Sequence, residues 1–231
     1  MDRRDLLKSL AAALGAAPLA GTAPAHASGG SGAAGTAWAA GTAEAAVIGV
    51  STATRSTLDA FADTMIPGAK RYPGDAAVAG VTSGPGGAHA GFVELMLLPE
   101  LGVAALLPGF AAVLDAAAVA YAASHLILLP IGVPPFVGLA FPARTAVVGD
   151  LVRPGAAGRL PWVLLGLMVG VAFDSAGHLH TAGAISSGHP GLAYLRFPPP
   201  GTDGLWRFPV HSYGRQLAPV HPATTPTGSP A

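Results

Sequence analysis

LPWVLLGLMVGVAF, at residues 160–173, contains no charged side chain. Pro161 suits the first turn of a helix, where no backbone N–H is needed, and the pattern predicts a helix from Trp162 through His178. A helix that is apolar on all sides lies inside a bundle, or between the bundle and another chain, and this one is too short to cross a bilayer. We therefore predict a mainly α fold, a single helical-bundle domain with this helix at its centre.

Proline and glycine residues divide the chain on either side of this helix. Residues 56–59 (STLD) have the pattern of a capping box, so a short amphipathic helix is expected to begin there and to end at Pro67. Further apolar helices are predicted at residues 92–98, 108–121 and 142–152. The loop at 67–87 is rich in Pro and Gly and is expected to be ordered, with Lys70 and Arg71 in solvent.

Residues 126–141 are apolar but are interrupted by Pro130, Pro134 and Pro135. No uninterrupted stretch of about 20 apolar residues can be drawn through them, so no stable membrane span is expected. The segment is either a buried connector or a docking surface, and the sequence is compatible with both.

The first 27 residues have the three-part layout of a signal peptide. Arg3 and Arg4 precede an alanine-rich apolar stretch at 10–20, and residues 25–27 (AHA) match an A-x-A cleavage site. The paired arginines predict export through the twin-arginine translocase, which carries folded proteins. We therefore expect an extracytoplasmic location, whether secreted, periplasmic or associated with the cell wall.

Composition divides the remainder of the chain into three parts. These are a flexible Gly/Ala/Ser linker at 28–53, a helical domain at 54–197 and a proline-rich extended tail at 198–231. The tail carries Trp206, Arg207 and Tyr213. Aromatic and arginine side chains anchor many interfaces, so these three are the candidate partner contacts.

The charge and cysteine content exclude several classes of function. Lys plus Arg and Asp plus Glu are equal at 12 each, so no net field attracts nucleic acid and none is expected as a partner. Cysteine is absent, which excludes disulfides, thiolate metal sites and cysteine nucleophiles. Only 10% of residues are charged, so much of the surface is apolar or small, which favours a protein partner.

The best candidate for chemistry within this chain is residues 174–180 (DSAGHLH). On a continuous helix Asp174 and His178 would share a face as an i, i+4 pair, with His180 close behind. A metal site needs another ligand from elsewhere, and this spacing lacks the zincin pattern. Hydrogen bonding that secures the helix end is the simpler interpretation. We assign no catalytic or cofactor-binding residue, and Asp174, His178 and His180 are metal candidates only.

Three short motifs open the mature domain: residues 61–67 (FADTMIP), 73–76 (PGDA) and 79–81 (AGV). Together they resemble the gluconate 2-dehydrogenase subunit 3 family. An exported actinobacterial branch of that family is more similar still, through residues 161–162 (PW), 172–176 (AFDSA), 188–191 (GHPG) and 204–209 (GLWRFP).

This resemblance implies a non-catalytic accessory subunit. Such a subunit assists the maturation, stability or export of a large FAD-dependent flavoprotein of the glucose–methanol–choline (GMC) oxidoreductase type. FAD is then expected in the partner, and no cofactor in this chain. Two alternatives stay open: an autonomous exported metal-dependent enzyme that uses Asp174, His178 and His180, and a carrier of an apolar ligand between the helices around residues 164–173.

Overall fold

The computed structural model describes residues 50–201, and this part of the chain is helical and contains no strand. Its helices, α1 to α8 in chain order, are Thr52–Met65, Phe92–Met96, Leu107–Ser124, Pro135–Gly138, Phe141–Val152, Arg159–Ser175, Thr181–Ser186 and Pro190–Tyr194. Two 3₁₀ turns, Pro99–Leu101 and Ala104–Leu106, lead into α3. The predicted mainly α fold is confirmed. The signal peptide, the linker up to residue 49 and the tail beyond residue 201 lie outside the described residues.

The central helix is α1, not α6 as predicted. Helix α1 packs against α2, α3, α4, α5 and α6, and its residues 57–63 are all buried. Helix α6 also contributes to the core, but its Leu160 and Leu167 are each 54% exposed. The sequence pattern gave the wrong central helix for two reasons. The two buried aspartates of α1 look like a polar face, and α6 leaves apolar leucines in solvent.

Two helix boundaries differ from the prediction for local reasons. Helix α1 begins at Thr52 because the Oγ of Ser51 accepts a hydrogen bond from the N–H of Thr54 at 3.1 Å, so the predicted start at 56–59 was too late. Helix α6 ends at Ser175 because Ala176 adopts a left-handed conformation with φ of 48°. The predicted continuation to His178 is therefore wrong. The helices predicted at 92–98, 108–121 and 142–152 agree with α2, α3 and α5.

One hydrophobic core joins α1 to α6, and Trp162 lies at its aromatic centre. The Phe110 ring meets Trp162 edge-on, with centroids 5.4 Å apart, and the Phe61 ring lies 6.1 Å from it. Phe92 in turn lies 6.2 Å from Phe61. A separate small core under α7 and α8 consists of Ala176, Ala184 and Leu192. The last two helices are thus held by far less apolar packing than the first six.

Helix α3 has one face in the core and one in solvent. Phe110, Leu114 and Ala118 lie on one side of the helix and are buried. Within the described part of the chain, the segment 104–124 is long and apolar enough to cross a membrane, although only 28% of it is buried. Core helices of soluble proteins pass the same test, so this is weak evidence for a span.

Candidate functional site

Charged side chains from α1, α5 and the loop at residues 67–87, which we call the Pro/Gly loop, lie together beneath that loop. Asp59, Asp63, Asp75 and Arg144 are buried, and Arg71 lies among them with its side chain only 23% exposed. We call these five residues the charged cluster. Buried charge is costly unless it is paired and hydrogen-bonded, so the partners of each group show what the cluster does.

Arg71 bridges two carboxylates of the charged cluster. Its Nη1 lies 2.9 Å from Oδ2 of Asp59 on α1, and its Nε lies 2.7 Å from Oδ2 of Asp75 in the loop. The neighbouring Lys70 donates from Nζ to the backbone carbonyl of Asp75 at 2.8 Å. The expectation of solvent exposure is confirmed for Lys70, which is exposed, but it is wrong for Arg71, whose side chain is largely covered. The loop folds back over α1, and sequence separation hides the pairing of Arg71 with Asp59.

Asp63 holds the same loop at two points. Its Oδ1 accepts a hydrogen bond from the N–H of Gly68 at 3.0 Å, and its Oδ2 accepts one from the N–H of Ala79 at 2.8 Å. Burial raises the pKa of the Asp63 carboxyl, and these two N–H donors offset only part of that rise. The carboxylate is enclosed by backbone rather than open to a substrate.

Arg144 joins α5 to the Pro/Gly loop and to the end of α4. Its Nε donates to the carbonyl of Leu139 at 2.9 Å, its Nη1 to that of Ala77 at 2.6 Å, and its Nη2 to those of Ala76 and Val137. Burial lowers the pKa of Arg144, and the charges of Asp63 and Asp75 act in the opposite direction. A planar guanidinium can satisfy four carbonyls at once, which a lysine cannot do.

The electrostatics of Asp75 reflect its pairing with Arg71. Burial alone would raise the pKa of Asp75, but the hydrogen bonds and positive charge of Arg71 outweigh it, so the pKa lies below its ordinary value of 3.8. Oδ1 of Asp75 also accepts from the N–H groups of Ala77 and Val78. The charged cluster thus serves to hold the loop on α1 and α5.

The three metal candidates are not brought together. Asp174 and His180 are exposed, and His180 is the residue that precedes α7. His178 is half-buried against Gly91, where an added Cβ would lie 2.6 Å from its Nε2. Because α6 ends at Ser175, Asp174 and His178 do not share a helix face. Among residues 50–201, no three His, Asp or Glu side chains are grouped as a metal site requires.

A structural histidine, His189, was not singled out from the sequence. Its Nε2 lies 3.1 Å from the carbonyl of Ala90, and its Nδ1 accepts a hydrogen bond from the N–H of Leu192 at 3.4 Å. These two partners assign a neutral ring with the proton on Nε2. His189 therefore caps α8 and ties it to the segment before α2. The available signal was its place directly before Pro190, a first-turn proline.

The most exposed apolar side chains follow α3. Leu126, Leu128 and Ile131 have relative exposures of 93%, 96% and 102%, so they project clear of their neighbours. We call these three residues the apolar knob. Of the two expectations for residues 126–141, a buried connector is wrong for the knob, because these side chains lie on the surface. Phe136, Val137 and Leu139, further along the same segment, are buried.

The outer face of α3 extends this apolar area. It is formed by small or aliphatic exposed residues: Ala112, Ala116, Val119, Ala120 and Ala123. Residues 116–143 contain no Asp, Glu, Lys or Arg. The one charged residue of α3, Asp115, accepts from the N–H of Phe136 at 3.0 Å and from the Oγ1 of Thr57 at 3.3 Å, so it is engaged with neighbouring elements. We call the knob and this face together the apolar surface.

Several predicted residues fall outside the described part of the chain. Arg3 and Arg4 of the export signal lie before it, and the partner-contact candidates Trp206, Arg207 and Tyr213 lie after it. The apolar-carrier alternative concerns described residues, and there Leu165, Met168 and Val169 are fully buried in the core formed with the neighbouring helices.

Comparison with known proteins identifies a family. A family model described as a family of unknown function (DUF5987) matches residues 52–231, from the first residue of α1 to the last residue of the chain. No curated protein and no solved structure matches the chain. The match covers all the described helices and the tail, so the chain belongs to the family of unknown function DUF5987.

Proposed function

We propose that this protein is a non-catalytic accessory subunit that binds an exported, FAD-dependent oxidoreductase of the GMC type and assists its maturation, stability or export. The proposal joins the twin-arginine signal at Arg3 and Arg4, the motifs similar to gluconate 2-dehydrogenase subunit 3, and the apolar surface. In this proposal FAD belongs to the partner.

The observation that carries the proposal is the apolar surface. Burying one leucine or isoleucine side chain is worth about 1.5–3 kcal/mol, so covering the three side chains of the apolar knob gives a gross stabilisation of roughly 5–9 kcal/mol. A chain that leaves such side chains in water gains this energy only when something covers them. Large apolar patches on soluble proteins mark interaction sites.

The use of charge in this chain supports a non-catalytic role. The carboxylates and guanidinium groups of the charged cluster are engaged with each other or with backbone groups of the Pro/Gly loop and its neighbours. Moreover, Asp63 and Asp75 belong to the motifs at 61–67 and 73–76 that carry the family resemblance. In this structure those motifs build the attachment of a loop to α1, which is a structural task.

A comparison of exported proteins tests this function. In the native host, the gene for this chain is deleted, and proteins outside the cytoplasm are quantified by mass spectrometry. We expect the loss of a GMC-type flavoprotein that has no export signal of its own, and its recovery when the wild-type chain is restored. An exported set of flavoproteins that is unchanged by the deletion contradicts the export and maturation role.

A further inference from the structure

The last two helices are attached to the others at few points. We call α7, α8 and the turn between them, residues 181–194, the α7–α8 unit. Its small core contains Ala176, Ala184 and Leu192, and burying alanines contributes little free energy. Helix α8 packs on the end of α6, where Gly191 lies so close to the carbonyl of Phe173 that no side chain would fit. Polar contacts therefore weigh heavily in holding the unit in place.

His189 makes the polar contact between the α7–α8 unit and the segment before α2. It is only 5% exposed, its Nε2 donates to the carbonyl of Ala90, and its Nδ1 accepts from the N–H of Leu192. Both bonds are made by a neutral ring with its proton on Nε2. A second proton on Nδ1 would turn the acceptor into a donor that faces another donor, and would add a charge in a buried place. The contact therefore depends on a neutral ring.

The two neighbouring histidines offer no compensation for a charge on His189. The His178 ring centroid lies 5.8 Å from that of His189, so a charged His178 would repel a charged His189. His89 precedes Ala90 in the chain. Burial lowers the pKa of His89, and the positive charge of Arg71 acts in the same direction. Acid thus adds positive charge around the contact without adding a partner for it.

The carboxylates on neighbouring elements do not pair with His189 either. Glu94 of α2 pairs with Arg55 at 2.6 Å, and Asp174 near the end of α6 is exposed. Helix α7 has no ionisable side chain, and α8 has only Tyr194. Within residues 50–201 the hydrogen-bond partners of His189 are backbone groups alone. A proton added to this ring therefore gains no ion pair.

We propose that His189 is an acid-sensitive latch, which holds the α7–α8 unit in place while its ring is neutral and releases the unit when the ring is protonated. The released unit binds one proton more than the attached unit, so attachment is favoured near neutral pH and is lost as the pH falls. This inference does not depend on the proposed function.

Release would uncover the end of α6 and part of the Pro/Gly loop. The Phe173 ring, now 6% exposed, meets the Tyr194 ring edge-on with centroids 6.2 Å apart. The same tyrosine ring covers Gly84, where an added Cβ would lie 3.1 Å from its Cε2. Both contacts belong to α8, so they open together when the latch opens. The latch thus makes the exposure of this surface depend on pH.

Hydrogen exchange of the full-length chain, followed by mass spectrometry, tests the latch. Wild type, His189→Asn and His180→Asn are compared at about pH 8 and about pH 5, with correction for intrinsic exchange. Asparagine keeps an acceptor for the N–H of Leu192 but does not titrate. His180 is the matched control, because it precedes α7 as His189 precedes α8 but makes no capping hydrogen bond with its side chain. Circular dichroism establishes that each variant is folded.

We expect acid to lower the protection of α7 and α8 in wild type by about tenfold or more, while α3 keeps its protection. His180→Asn should show the same dependence, and His189→Asn should show none. Protection of α7 and α8 that is unchanged by acid in wild type overturns the inference. Loss of protection in all helices together also overturns it, because that is global unfolding. An equal dependence in His189→Asn would assign the titration to another group, such as His178.

A second measurement on wild type keeps the test decisive if His189→Asn loosens the α7–α8 unit at every pH. Nitrogen-15 NMR of the imidazole rings reports the protonation of His189 directly. We expect Nδ1 to be unprotonated at about pH 8, and to gain its proton over the pH range in which protection is lost. A ring that takes up its proton while α7 and α8 stay protected would refute the latch.

Discussion

At the scale of single residues, buried charge in this protein holds a loop in place. Asp63 accepts hydrogen bonds from the backbone N–H groups of Gly68 and Ala79 in the Pro/Gly loop, and Arg144 donates to carbonyls of the loop and of the segment before α5. Removing one partner of such a bond leaves a buried polar group unsatisfied, which costs more than the bond itself contributes. These residues are therefore sensitive to isosteric replacement.

Replacing Asp63 by asparagine tests the role of that carboxylate. Asparagine has one acceptor oxygen, so its amide NH₂ must face the N–H of either Gly68 or Ala79. We expect Asp63→Asn to lower the free energy of unfolding by about 1–3 kcal/mol in urea denaturation. Asp150→Asn is the control, because its pair with Arg153 is exposed and such pairs contribute about 0–1 kcal/mol. Equal losses in the two variants would show that Asp63 has no special role.

The lowered pKa of Asp75 predicts a dependence on pH. A carboxyl whose pKa is lower in the folded state than in the unfolded chain stabilises the fold above its ordinary pKa of 3.8. That contribution disappears as the pH falls through the lowered value. We therefore expect the stability difference between wild type and Asp75→Asn to be largest near neutral pH and to shrink as the pH falls below 3.8.

Wild type is compared with Asp75→Asn because the pKa values of other buried carboxyls are raised, and they change the stability with pH in the opposite direction. Burial raises the pKa of Asp59 and Asp63. Ionisation of these two carboxyls therefore lowers the free energy of unfolding as the pH rises. The difference between wild type and variant removes the part of these effects that does not depend on the Asp75 charge, which itself raises the pKa of Asp63. Urea unfolding of both proteins across this range provides the measurement, and a difference that does not vary with pH would refute the assignment.

Sequence reasoning was least informative at this scale. Arg71 was expected in solvent because nothing in a single sequence shows that the loop returns over α1 and places Arg71 beside Asp59. The spacing of Asp59 and Asp63, four residues apart among the apolar residues 58–62, was the available signal. Charged residues four apart usually mark a solvated face, and only the surrounding elements reveal that this face is covered.

At the scale of secondary structure, the sequence predicted α1, α2, α3, α5 and α6 but not the short helices α4, α7 and α8, and it did not indicate the packing order. The prolines at 108, 142 and 161 lie in the first turns of α3, α5 and α6, where a missing N–H has no cost. The packing order depends on which faces meet, and the apolar run at 160–173 did not show that α1 is central. The interrupted segment 126–141 was compatible with two environments, and the structure divides it between them.

The end of α3 offers a test in which stability and binding change in opposite directions. Leu126 has a left-handed backbone conformation with φ of 54°. Leu126→Gly removes the strain of that conformation, worth about 1–2 kcal/mol. The greater chain entropy of glycine in the unfolded state lowers the stability by about 0.5–1 kcal/mol. We expect thermal unfolding to show a stability gain of about 0.5–1 kcal/mol. The same variant loses one projecting side chain of the knob, so flavoprotein binding should weaken. A variant that is both less stable and fully able to bind would contradict this account.

At the scale of the whole molecule, the family match covers the helical domain and the tail together. It begins at residue 52, where α1 begins, and continues through the tail to residue 231, so the tail belongs to the family unit whereas the predicted signal peptide precedes it. Trp206, Arg207 and Tyr213 remain predicted contacts within that unit.

Replacing Arg3 and Arg4 by lysines tests the export step. The twin-arginine translocase reads the arginine pair, so we expect the Lys-Lys variant and its flavoprotein both to stay in the cytoplasm. The control replaces Arg153 and Arg159 by lysines, which makes the same chemical change outside the signal. Immunoblots of the cytoplasmic and exported fractions provide the measurement. Normal export of the Lys-Lys variant would exclude the twin-arginine route.

The central claim is that this chain is the partner of a flavoprotein. The most direct measurement is affinity purification of the tagged, full-length chain from its native host, followed by an absorbance scan for flavin and mass spectrometry of the second polypeptide. We predict a yellow complex that keeps its flavin through a high-salt wash, because the apolar surface carries no charge for salt to screen. A colourless chain that elutes alone would contradict the claim.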